Sequence, residues 1–166
     1  MSSSMVARPD IAAALKSSES SLRERTAVLT ALADATREML ARLERDASAD
    51  IHDLLALRDV KGREYAQMCA RQPLSDDAMA GHAETAATSG DRESAALGMS
   101  LLSMLARARD LAKEIMTCQT QCETILRARL QATAKALRQS AQRRKLDAAY
   151  GPAHRHDVPV FMDHKK

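Results

Sequence analysis

Tryptophan is absent from this chain of 166 residues, and its aromatic complement is Tyr65, Tyr150 and Phe161 alone. Sheet cores are built largely from aromatic and β-branched side chains, so a β-sandwich or barrel is poorly supplied here. Glycine (five) and proline (four) are also scarce. They lie near the ends or at breaks in the pattern, apart from Gly62 and Gly98, which fall inside helical periods. No uninterrupted apolar run approaches the roughly 20 residues that span a bilayer. The opening MSSSMVARPDIAAALK lacks the apolar core of a signal peptide. Three cysteines, Cys69, Cys118 and Cys122, make an odd count, which fits a reducing compartment better than a disulfide framework. The expectation is a cytoplasmic protein with no membrane span.

What the chain has in abundance is alanine, leucine and straight-chain charged residues, the strongest intrinsic helix formers. Core material of Leu, Met, Ile and Ala suits closely packed helices. The expected fold is all-α, an elongated antiparallel helical hairpin or bundle with coiled-coil-like packing. It has three to four helices, the C-terminal one very long. A disordered arm is expected over residues 1–9, the bundle over 10–147 and a flexible tail over 148–166.

Asp10 can cap a first helix whose seam runs Ile11, Leu15, Ser18, Leu22, Arg25, Leu29, Leu32, Thr36, Met39 and Leu43 at 3–4 spacing, the period of a buried helix face. Its polar members, Ser18, Arg25 and Thr36, predict a loosely packed first half. The stretch DASADIHD (46–53) reads as a break and restart with Asp50 as cap, or as a bend in one helix. The second segment carries Ile51, Leu54, Leu55, Tyr65, Met68 and Cys69. Pro73 removes a backbone donor and disfavours helix at Gln72, so a firm break follows there. Ser75, Asp76 and Asp77 then supply a cap and an acidic first turn for a short helix to about Thr88.

After the turn residues TSGD (88–91) comes the strongest periodic signal: Leu97, Leu101, Met104, Ala108, Leu111, Ile115, Cys118, Cys122 and Ile125. A second row, including Leu105, Met116, Leu126, Leu130 and Leu137, flanks it. That apolar face is wider than a two-stranded seam requires. A helix over about 92–146 is predicted, longer than either preceding segment can cover. Its surplus apolar surface calls for a partner, a second copy, or solvent. Gly151 and Pro152 end it.

Seven basic residues and no acidic one fall between 127 and 146 (Arg127, Arg129, Lys135, Arg138, Arg143, Arg144 and Lys145). Such a run reads first as a solvated helix face near the negative end of a dipole. Read otherwise, it is a surface for nucleic acid or an acidic partner. Cys118 and Cys122 stand one turn apart on the apolar seam, where thiols pack as small hydrophobes. No second ligand pair completes a metal site. His154, His156 and His164 sit in a tail without fixed geometry. No nucleophile beside a base, glycine-rich phosphate loop or carboxylate pair is found. The expectation is a non-enzyme without cofactor or metal.

Three stretches together resemble the flagellar export chaperones of the FlgN type: LLALRDVKGREYAQM, with Lys61 at the family's lysine; CQTQCETILRARLQATAKAL from Cys118; and DAAYGPAHRHDVPVFMD, with its Tyr-Gly-Pro run. Cys118 and Gln121 stand where that family has two asparagines, Cys122 where it has a small residue, and Ala-His where it has Asp-Gly. The resemblance implies a cytosolic chaperone that binds the C-terminal helical segments of hook-associated (hook–filament junction) proteins and delivers them to the cytoplasmic domain of the type III export gate. It places cargo binding on Leu111, Ile115, Cys118, Gln121, Cys122, Ile125, Leu126, Arg129 and Leu130. It places gate contact on Tyr150, with Gly151 and Pro152. Tyr150 reads equally well as a helix-end tyrosine packing on its own helix. Two other functions compete: a basic coiled-coil protein on nucleic acid, disfavoured by the lack of stacking aromatics, and a self-assembling coiled coil, in which a homodimer fills the wide seam.

Overall fold

A computed structural model describes residues 8–46, 48–72 and 74–150. Within them the chain forms four helices and no strand: α1 (Arg8–Arg45), α2 (His52–Ala70), α3 (Asp76–Ala87) and α4 (Arg92–Tyr150). The expected all-α architecture with one long final helix is therefore present. The arm over 1–7 and the tail from Gly151 onward lie outside the described residues.

The helix ends follow local chemistry. α1 begins at Arg8, two residues before the expected cap at Asp10. Pro9 explains the earlier start, because a first-turn proline lacks only an N–H that would be unbonded anyway. The break at 46–53 is real: α1 and α2 are separate helices. The Asp46 carboxylate accepts the Ser48 amide at 2.8 Å, and Asp50 accepts the His52 amide at 2.9 Å. Ser75 caps α3, its hydroxyl accepting from the Ala78 amide at 3.2 Å, and Asp76 and Asp77 fill the first turn. Asp91 does the same for α4 through the Ser94 amide at 2.9 Å. α4 runs past residue 146 to Tyr150, since Asp147, Ala148 and Ala149 do nothing to stop a helix.

The chain divides into two compact units, Met1–Ile125 and Leu126–Lys166. In the first, three buried clusters fix the directions of the helices. Leu15 and Leu22 of α1 pack with Met79, Ala83 and Ala86 of α3 and with Leu101 and Leu105 of α4. Next, Leu29, Leu32 and Ala33 meet Ala108, Leu111 and Ile115, with Tyr65 of α2 alongside. At the far end Ala35, Met39 and Leu43 meet Ile51, Leu54 and Cys122. Rising numbers in α1 match rising numbers in α4, so these two helices run parallel. They match falling numbers in α2 and α3, which run antiparallel to α1, one after the other. Two short helices laid end to end thus form the third layer against the long parallel pair.

Two residues hold that third layer in place. Gly98 of α4 lies against the backbone of α3: a Cβ there would clash with the Ala83 carbonyl oxygen and stand 2.5 Å from the Ala87 amide nitrogen. Only a hydrogen in that position lets α3 and α4 approach so closely. Arg25 of α1, 2 % exposed, reaches into the junction between α2 and α3. Its guanidinium donates to both carboxylate oxygens of Asp76, at 2.8 and 3.2 Å, to the Gln72 amide oxygen, and to the Tyr65 hydroxyl at 3.3 Å. It also lies 5.5 Å from the Tyr65 ring centroid. The expected loose first half is corrected here. Arg25 and Thr36 are buried with partners, Thr36 donating to the Leu32 carbonyl at 2.7 Å.

Candidate interaction surface

In the second unit, residues 126–150 are helical and almost uniformly exposed. Leu126, Leu130 and Leu137 are 39, 70 and 66 % exposed. At 100° per residue these three leucines fall within about 40° of arc, with Ala134 and Ala141 beside them. Leu146 and Tyr150, also exposed, fall on the far side of the helix. Arg127, Arg138 and Lys145 line one flank of the row, about 80–100° from its centre. Over 126–150 seven side chains are basic and only Asp147 is acidic. The last turn of α4 carries no basic residue. A dipole effect that fades within one turn therefore accounts for little of the basic run. The arrangement is an apolar row edged by positive charge, chemistry that suits a partner with an apolar stripe and acidic margins.

Residue by residue, the expected binding positions divide. Leu111, Ile115, Cys118 and Cys122 are buried, between 2 and 9 % exposed, and three of them belong to the clusters that pack α4 on α1. Intramolecular packing occupies them, so they present no surface to a partner. The reason lies in the spacing: the strict 4–3 seam is the stripe that α1 covers. Ile125 and Arg129 are half-buried, and Gln121, Leu126 and Leu130 are exposed. Tyr150 is 85 % exposed, not folded onto its own helix. Gly151 and Pro152 lie outside the described residues. The surplus predicted for the wide face therefore sits in the second row, where Met116, Leu126, Leu130 and Leu137 are exposed.

Comparison with protein-family models, with curated proteins and with solved structures returns no match.

Other chemistry is sparse. Among the described residues no group of three or more His, Cys, Asp or Glu stands together as a metal site; His154, His156 and His164 lie outside them. No described helix is long and apolar enough to cross a membrane. Burial pushes the Cys122 thiol above its ordinary pKa, with the neighbouring Cys118 adding to the effect; a thiol so held is protonated and packs as a hydrophobe. Around Arg25, burial disfavours the charged guanidinium. Hydrogen bonds to Asp76 and Tyr65 outweigh it and raise the pKa. The same contact with Arg25 holds the Asp76 carboxyl below the usual aspartate range. Burial raises the Tyr65 hydroxyl. The Arg25 and Asp76 shifts belong to one ion pair, with 2.8 Å between guanidinium and carboxylate.

One surface has no counterpart in the sequence reading: an open groove between α1 and α2. Its apolar lining is Ala27, Val28, Ala31 and Met68, and its rim carries Glu24, Glu64 and Lys61, with Lys61 bonded to Glu64 at 2.7 Å. The two helices supply three or four residues each, so the groove becomes visible only once their antiparallel register is known.

Proposed function

We propose that this protein is an export chaperone of the flagellar type III system. It holds the C-terminal helical segment of a hook–filament junction protein on the leucine row of α4 and presents it to the export gate. The observation that carries the reading is that α4 stays helical through Tyr150 while Leu126, Leu130 and Leu137 lie exposed. Fully burying three leucines is worth on the order of 5 kcal/mol before the costs of association. That suits a client that is held and then released. The resemblance in the Tyr-Gly-Pro stretch supplies the choice of client and the gate role of Tyr150. Arg129 borders the row, about 80° from its centre, whereas Gln121 and Ile125 fall toward the opposite side of the helix and stand outside this contact. The buried residues 111, 115, 118 and 122 act by fixing α4 to the body.

The test is to titrate the full chain with the C-terminal helical segment of a junction protein by calorimetry. Leu130→Asp and Leu137→Asp should each weaken binding about tenfold or more without moving the melting temperature, because a buried leucine side chain is worth about 1.5–3 kcal/mol. Unchanged affinity in both variants would remove the leucine row from the reading. If the segment fails to bind the unaltered chain, the chaperone assignment itself falls.

A further inference from the structure

We propose that the basic leucine row of residues 126–150 docks, in the absence of any partner, in the α1–α2 groove of a second copy of this chain. The chain is divided by charge. Met1–Ile125 carries 15 basic and 19 acidic residues, a formal −4, whereas 126–150 carries seven basic and one acidic, a formal +6. Complementary charge of this kind both steers encounter and selects register. Pairing two leucine rows with each other would instead bring two sets of seven cations together, at a cost in like-charge repulsion.

The groove fits the row in shape and in charge. Its apolar lining is Ala27, Val28 and Ala31 with the adaptable Met68, short side chains and one flexible one, against which a helix bearing leucines can settle at ordinary helix–helix distance. Glu24 and Glu64 stand on its rim. Lys61 stands there too, paired with Glu64, so the rim carries one net negative charge. The other large groove, between α2 and α4, is edged by Arg58 and Arg63 as well as Asp59 and Glu123. That mixed rim offers a basic helix no net attraction. Docking in the α1–α2 groove is head-to-tail, since the two surfaces that meet are different patches of the chain.

The inference stands apart from the flagellar reading, because self-association is measured on the chain alone. Sedimentation velocity of the full chain over a micromolar concentration series should show a dimer or larger species at low salt that dissociates as salt rises. The double variant Glu24→Lys, Glu64→Lys and the double variant Arg127→Glu, Arg138→Glu should each weaken self-association about tenfold or more. An equimolar mixture of the two should recover a complex, because the reversed charges again face opposites. A chain that remains monomeric at low salt overturns the proposal. So does self-association indifferent to either variant, or a mixture that forms no complex. Circular dichroism checks that each variant is folded. If the glutamate variant does not fold, the arginine variant, altered only at exposed positions of α4, decides alone.

Discussion

Gly98 and Gly62 look alike in the sequence, each a glycine inside a helical period, yet the structure gives them opposite roles. A methyl group at Gly98 would collide with the α3 backbone, which cannot give way as a flexible side chain can. Gly98→Ala should therefore destabilise the chain by about 1–3 kcal/mol despite alanine's better helix propensity. At Gly62 nothing lies within 4 Å of the added Cβ, so Gly62→Ala should stabilise by about 0.5–1 kcal/mol. Urea denaturation of the two variants checks the sign of each. Arg25 is the other decisive residue. Arg25→Ala leaves a cavity where α2 meets α3 and strips Asp76 and Gln72 of their partner, and should cost about 2–3 kcal/mol. The Asp76 carboxyl has a lowered pKa in the folded chain because Arg25 bonds to it. Its contribution is therefore complete above the ordinary aspartate pKa and is lost as pH falls through the depressed folded value. Stability should decline from about pH 4 downward, and Asp76→Asn should flatten part of that decline in acid-unfolding curves. Arg25 was legible only as a polar exception in an apolar seam. Nothing local says that an arginine there will find Asp76, 51 residues away, at a helix junction.

At the scale of elements, the spacing of apolar residues located α1, α3 and most of α4, because amphipathic periodicity and caps are local properties. DASADIHD is compatible with a turn or a bend; the burial of Ile51 and Leu54 in one cluster with Leu43 decides for the turn. α4 is one helix with two kinds of surroundings. From Leu101 to Cys122 its seam is buried, and beyond Ile125 its leucines are exposed. Amide exchange should report the difference. At salt and dilution that keep the chain monomeric, residues 126–150 should exchange about a hundredfold or more faster than 101–122, because only the latter open together with the packed core. Addition of a bound helical partner should slow exchange selectively in the exposed stretch. Uniform protection along α4 in the monomer would contradict the division.

For the whole molecule, the three core clusters all fall within Met1–Ile125. A chain ending at Leu130 should therefore melt within about 4 °C of the full chain while losing the greater part of partner binding. Calorimetry of the shortened chain measures the first, and titration with the junction-protein segment the second. Tyr150, exposed at the end of α4, belongs to a separate step in the proposed pathway. Tyr150→Ala should leave client affinity unchanged and lower secretion of the client in an export assay. A loss of client affinity in that variant would contradict the separation of holding from delivery.

Composition and spacing alone make this chain helical, set where most of its helices start and stop, and give its last helix more apolar surface than the shorter ones can cover. These follow from propensity, capping and periodicity, which act over a few residues. Which apolar positions are core and which are surface follows from the packing of segments far apart in the chain. The strict seam is claimed by α1 up to Cys122, and the second row is left exposed from Leu126 onward. That outcome depends on the register of two parallel helices about 80 residues apart in the chain, and on α1 ending at Arg45, where the cover for α4 runs out.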